Sequence, residues 1–180
     1  MIKGKLTGLR AVEKEDLPKL RDWRNNDDFR KHFREIRELS LYNQEKWIEK
    51  TNNSPGDFMF VIENLETKKP IGAAGLLYTN WIIRSSDFSF YIGEGDKYID
   101  DEGLALDAAS TLIKYGFEVL NLNKIWMELY EFDTMKLDFF KGLLGFKEDG
   151  KLRQNCFADG KYWDSYIISL LASDYKNWKG

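Results

Sequence analysis

SDFSFYIGEGDKYIDDEGLALDAASTLIKYGFEVLNLNKI, residues 86–125, decides the fold. It opens on an alternation in which Asp87, Ser89 and Tyr91 interleave with Phe88, Phe90 and Ile92, the period-two pattern of a strand with one polar and one apolar face. It closes on a helical period: Ala105, Ala109, Leu112, Ile113, Gly116, Phe117 and Leu120 recur at three- and four-residue spacing up to residue 120. Between the two, a turn at Gly103 carries Asp100, Asp101 and Glu102. A helix start offers unpaired N–H groups and partial positive charge, so it accepts an anionic ligand unless the protein supplies its own anion. The turn therefore has two readings, a phosphate cradle or a helix that caps itself.

Working outward, residues 5–12 suit a first strand, and 13–25 form a helix with Leu17, Leu20 and Trp23 on one face and acids at its start. Residues 25–28 read as a polar break. Ser40 N-caps a second helix over 41–51 with Trp47 and Ile48 facing inward, and NNSPG at 52–56 is a turn. Strand runs follow at 57–64, 70–80 and 85–93. After the long helix, Ile125, Met127 and Leu129 alternate with Trp126, Glu128 and Tyr130 in another strand. A short helix over 135–143 and two strands joined at Asp159-Gly160, a strong hairpin signal, finish the chain. The order implies a mixed α/β domain with a central, mainly antiparallel sheet.

Composition narrows the chemistry. At 180 residues, 43% hydrophobic and 32% charged, the chain has the make-up of one globular domain spanning 1–180. No apolar run reaches the ~20 residues of a membrane span and the start lacks a signal-peptide core, so a cytoplasmic protein without a membrane partner is expected. Cys156 is the only cysteine and His32 the only histidine, which excludes an internal disulfide, a cysteine cluster and a multi-histidine metal site. No metal is expected. A net charge of −3 and aromatic residues without a basic stripe give no support to nucleic-acid binding.

The ordered pieces LRAVEKEDL, WRNNDDFR, KPIGAAGL, SDFSFYIGE, EGLALDAASTLIKYGFEVLNLNKI, LLGFKEDGKLR and DGKYWDSYIISLL resemble GNAT N-acetyltransferases. The nearest branch is that of ribosomal-protein N-terminal, spermidine and amino-sugar acetyltransferases. The resemblance implies a sheet of about seven strands flanked by about four helices, splayed open where acetyl-CoA, the co-substrate, lies. It implies cofactor contacts from Phe90, Tyr91, Ile92, Gly103, Leu104, Ala105 and Leu106, with the N–H near Tyr91 or Ile92 polarising the thioester carbonyl. The family's Arg/Gln-x-x-Gly-x-Gly/Ala signature falls on Asp100, Gly103 and Ala105, so the small residues fit and the acidic one does not. Asp133 and Phe140 stand where the family places Asn and a proton-donating Tyr, one residue being extra near Gly142.

The same resemblance puts Asp87 where the branch carries a Glu that serves as base. An unshifted carboxylate is weak for this work, so Asp87 would act through water or after desolvation raises its pKa. Glu128 and Tyr130, on the polar face of the following strand, are substitutes. Trp23, Arg24, His32, Phe33 and Tyr42 would line a lid over the acceptor, with Asp27, Asp28 and Glu35 suited to a cationic or sugar amine. Core packing for the aromatics and solvation for the acids are the structural alternatives. The implied activity is direct acetyl transfer to a primary amine of a small molecule or peptide, without a covalent intermediate on Cys156, by a protein that forms homodimers. The alternative is a non-catalytic binding protein with a degenerate pyrophosphate loop.

Overall fold

Alternation and helical period become one layered sheet in the computed structural model, which describes residues 1–100 and 102–178. In chain order the elements are β1 (Ile2–Lys3), β2 (Thr7–Ala11), α1 (Leu17–Asn25), α2 (Asp27–Arg30), α3 (Leu41–Asn53), β3 (Phe58–Asn64), β4 (Pro70–Asn80) and β5 (Ser85–Ile92). They continue with α4 (Leu104–Lys114), β6 (Lys124–Tyr130), α5 (Thr134–Leu137), β7 (Lys147–Ala158), β8 (Lys161–Leu171) and α6 (Ala172–Tyr175). The eight strands run in the order β1-β2-β3-β4-β5-β6-β8-β7. The added strand relative to the expected seven is the two-residue β1, an edge too short to announce itself. The expected polar break at 25–28 is instead the start of α2, whose N-cap Asn26 accepts from Asp28 N–H. On α3, Gln44 and Thr51 fill the inner side while Trp47 and Ile48 are half-buried.

Neighbouring strands are antiparallel except β5 and β6, which α4 joins as a parallel crossover. Their pairing is brief: Ser85, Ser86 and Asp87 face Lys124, Ile125 and Trp126. Beyond Asp87 the two strands part, and the sheet opens as expected. One face of the sheet packs on α4, where Ala105, Ala108, Ala109, Leu112 and Ile113 meet Leu9, Ile62, Leu76, Phe88, Phe90 and Ile125. The approach is close, since a Cβ on Gly116 would lie 2.8 Å from Ile125 Cδ1. Asp107 of α4 reaches out of this layer and accepts from the Lys5, Leu6 and Thr7 N–H groups and the Thr7 hydroxyl at 2.7–2.9 Å, tying β2 to the helix.

The opposite face is covered by α1 and α2, through Leu17, Leu20, Trp23 and Phe29 on Val61, Ala73, Tyr91 and Tyr98. The polar face expected for β5 is therefore not solvated; Asp87 and Tyr91 are both buried. A π-helical turn over Asp138–Leu143 absorbs the extra residue noted near Gly142, the usual outcome of a one-residue insertion in a helix.

Candidate active site

Where β5 and β6 part, a cavity of about 550 Å³ opens between the sheet and the N-terminal helices. Its floor is Asp87 to Tyr91 of β5 and Met127 to Leu129 of β6; its roof includes Arg24, His32, Phe33, Arg34 and Glu35; and Lys136 of α5 closes one side. Alternation along β5 decides which backbone groups face the gap. Gly93 N–H donates to Ile71 of β4 and Ile92 N–H to the Tyr98 carbonyl, so the Phe90 N–H lies on the open side with Ile92 and the Tyr91 N–H on the β4 side. Of the two N–H groups expected to polarise the thioester, one is thus committed to Tyr98 and the other faces β4. Phe90 supplies the group free for a ligand.

Asp87 is 5% exposed at the floor, and burial pushes its carboxyl above the ordinary carboxylate value even though Arg34 opposes the shift. Arg34 Nη1 donates to Asp87 Oδ2 at 2.5 Å, and Arg34 Nε lies 3.5 Å from Glu128 Oε2. The guanidinium also sits 5.8 Å from the Trp126 ring centroid. Ser165 Oγ and Asn155 Nδ2 pin Glu128 by donating to its other oxygen at 2.7 and 2.6 Å. Two carboxylates and a ring thus form a cation site, filled by a side chain of the lid. Tyr130 stands next on that face, tilted on Phe132 and outside the cavity wall; burial raises its phenol pKa.

A second buried group lies beside the first. Asp133 N-caps α5 by accepting from Lys136 N–H and takes the Tyr98 hydroxyl at 2.9 Å. His32 Nδ1 lies 3.2 Å from the same carboxylate without the alignment of a hydrogen bond. The Asp133 carboxylate, at the start of α5, thus ties down Tyr98 from the loop after β5 and lies beside His32 of the lid. Arg24 lies over the Phe33 ring at 4.1 Å, with Nε unpaired and its pKa lowered by burial.

The remaining expected residues separate. Arg24, His32 and Phe33 do line the cavity. Trp23 does not: it is core, edge-on to Tyr91 and packed so closely on Gly93 that a Cβ there would collide with its ring. Tyr42 also does not, being 65% exposed on α3. Ile92 and Phe140 are core, and the Phe140 position has no hydroxyl to give. Cys156 lies on β7, outside the cavity wall, with a thiol raised by burial.

Gly103, Leu104, Ala105 and Leu106 form the first turn of α4, away from that cavity wall. Gly103 takes φ +88°, a conformation glycine adopts without strain. The Asp100 carboxylate bends onto the helix start and accepts from the N–H groups of Glu102, Leu104 and Ala105. Asp101, the middle acid of the turn, lies outside the described residues. Among the described residues no group of three or more His, Cys, Asp and Glu is placed to hold a metal, and no helix is long and apolar enough to cross a membrane.

A sheet that opens between a parallel pair, with a crossover helix starting at a glycine turn, is the architecture of an acyl-CoA-dependent transferase. The chain belongs to the acetyltransferase (GNAT) domain family, which it matches over residues 9–167. It is similar to the spermidine N(1)-acetyltransferase of Vibrio cholerae, at 28% identity over 94% of this chain and 95% of that protein. The crystal structure of spermidine N-acetyltransferase from Vibrio cholerae in complex with CoA and spermine superposes with a TM-score of 0.86 at 28% identity, over 96% of this chain and 99% of that one. A dodecameric structure of the Vibrio cholerae enzyme gives 0.80 at 28% identity, over 96% and 97%. The chain is an N-acetyltransferase that uses acetyl-CoA as co-substrate.

Proposed function

We propose that this protein acetylates a primary amine of a polyamine, with Asp87 as base. The observation that carries the reading is the pair of carboxylates beside Trp126, which already holds one cation, the Arg34 guanidinium, at the mouth of the gap. An alkylammonium of the acceptor suits the same three partners. Asp87, with its pKa raised by burial, takes a proton from that ammonium, directly or through a water, and the free amine attacks the thioester carbon. The Phe90 N–H receives the charge that develops on the carbonyl oxygen. The unpaired edges of β5 and β6 suit a pantetheine arm, which is a chain of amides. Gly103 to Leu106 suit the pyrophosphate if Asp100 yields its place.

Acetyl-CoA and spermidine incubated with the protein are expected to give monoacetylspermidine by mass spectrometry, with stoichiometric thiol release. Thiol release no faster than the protein-free blank with spermidine and spermine, but clear with amino sugars or peptides, would move the acceptor to another amine. A cytoplasmic setting and self-association belong to the same proposal. The relative's dodecamer, together with the exposed Phe157 and Tyr162 at the β7–β8 tip, supports an oligomer, which sedimentation velocity tests.

A further inference from the structure

Cleaving a thioester leaves negative charge on sulfur, and in a cleft shielded from water that charge needs a proton or a cation beside it. The helical segment after β6 offers no phenol for this, since Phe139 and Phe140 occupy its inner side and both are buried. Its first turn offers a cation instead. Lys136 is 5% exposed and lines the same cavity as Asp87 and Phe90. Its Nζ rests on the Tyr98 ring at 4.4 Å and reaches toward Phe33 at 5.9 Å. Among the described residues it pairs with no carboxylate at ion-pair distance, and the nearby Asp133 accepts instead from the Tyr98 hydroxyl. A buried ammonium without an anion is costly, and a purely structural one would carry a partner.

We infer that Lys136 is the proton donor to the departing CoA sulfur, an inference that rests on the acetyl-transfer reading above. As the acceptor nitrogen bonds to the acetyl carbon, the carbon–sulfur bond breaks with its electron pair on sulfur. A Lys136 Nζ–H proton moves to that sulfur, giving the thiol, and the neutral amine regains a proton from solvent. The acceptor ammonium has by then passed its first proton through Asp87 to solvent, and the second, lost from the nitrogen as the amide forms, goes to Asp87, so one buried residue takes a proton while another gives one. Burial lowers Lys136 to about 8, close to the ~8.5 of an ordinary thiol, so the transfer is nearly balanced. The charged groups facing it are Asp133 on its own helix and Asp87 on β5, which raise its pKa, and Arg24 on α1, which lowers it. Tyr98 and His32 complete its surroundings.

The test compares wild type with Lys136→Met. Wild-type kcat at saturating substrates should fall as pH rises through about 8. Lys136→Met should lack that falling limb and lose roughly 10²-fold in kcat, with acetyl-CoA affinity unchanged by calorimetry. Independently of turnover, the thiol of bound CoA, followed by thiolate absorbance, should titrate roughly one unit or more lower in wild type than in Lys136→Met. Equal thiol titration in both proteins, or an acetyl adduct on Lys136 in the intact mass, would overturn the inference, and the wild-type pH profile stands even if the variant does not fold. A wild type that neither binds acetyl-CoA nor releases CoA would instead defeat the acetyl-transfer reading itself.

Discussion

The two faces of the sheet bury layers of different chemistry. Under α4 the layer is apolar throughout, from Leu9 and Ile62 to Leu112, Ile113 and Ile125, and the glycine at 116 lets the helix lie close. Under α1 and α2 the layer is mixed: Leu20, Trp23 and Phe29 share it with Arg24, Asp87, Tyr98, Asp133 and Lys136. Polar groups taken from water cost stability unless paired, and several here are paired poorly or only with rings. The first face holds the fold together, and on the proposed reading the second gives up stability to keep charges beside the opening of the sheet.

Ile113→Ala should cost about 2–5 kcal/mol in chemical denaturation, because the hole left in the α4 layer cannot collapse. Lys136→Met, equally buried, should leave stability unchanged or higher. Comparable losses from both would mean that the two layers do the same structural work.

Asp107 stands at the edge of the apolar face, against the start of β2. Its four hydrogen bonds hold its carboxyl below the ordinary value of 3.8, burial notwithstanding. A depressed folded pKa gives stability that is full above the unfolded value and is lost as pH falls through the folded one. Asp107→Asn should therefore cost about 1–3 kcal/mol at neutral pH and flatten the acid limb of the stability profile; a parallel downward shift of the whole profile would contradict this.

The Asp100 turn comes next. Asp100→Arg with Glu102→Lys removes the carboxylate that accepts three N–H groups of the helix start, so about 0.5–2 kcal/mol of stability should go. Acetyl-CoA should bind more tightly, most visibly at low salt. Equal affinities at two salt concentrations would show that the turn only caps α4. The smallest effect is expected from Arg34→Ala. The guanidinium is 48% exposed, so emptying the cation site should lower the KM for spermidine by roughly two- to fivefold, as measured by steady-state kinetics. A raised KM would make Arg34 an aid to binding rather than a competitor.

The elements were legible in the sequence because each carries its own period. The β5 alternation, the α4 stripe and the Asp159-Gly160 hairpin all stand where residue spacing put them. The opening of the sheet and Asp87 at its floor followed from the family resemblance. What sequence could not show is what the lid and loops bring across. Arg34 lies between α2 and α3 in a segment with no period, and its partners are 53 and 94 residues away. Tyr98 reads as a loop residue, yet a single bridge to Ile92 folds it into the core beside Phe29, with its hydroxyl on Asp133. The signal for Lys136 was present but faint, a lysine one helical turn after Asp133. The Gly103 turn allowed two readings, and in the structure the Asp100 carboxylate occupies the N–H groups at the start of α4.

On the proposed reading, the buried Asp87 carboxylate at the parting of β5 and β6 takes the acceptor's proton. The direct measurement is kcat for spermidine acetylation at saturating acetyl-CoA by wild type and Asp87→Asn, with acetyl-CoA affinity and melting temperature recorded for both. The account predicts a fall of roughly 10²-fold in kcat, with acetyl-CoA affinity kept and stability equal or higher, since a carboxyl held above its ordinary pKa destabilises the fold when ionised. Unchanged turnover in a folded, acetyl-CoA-binding variant would contradict it and pass the role to Glu128.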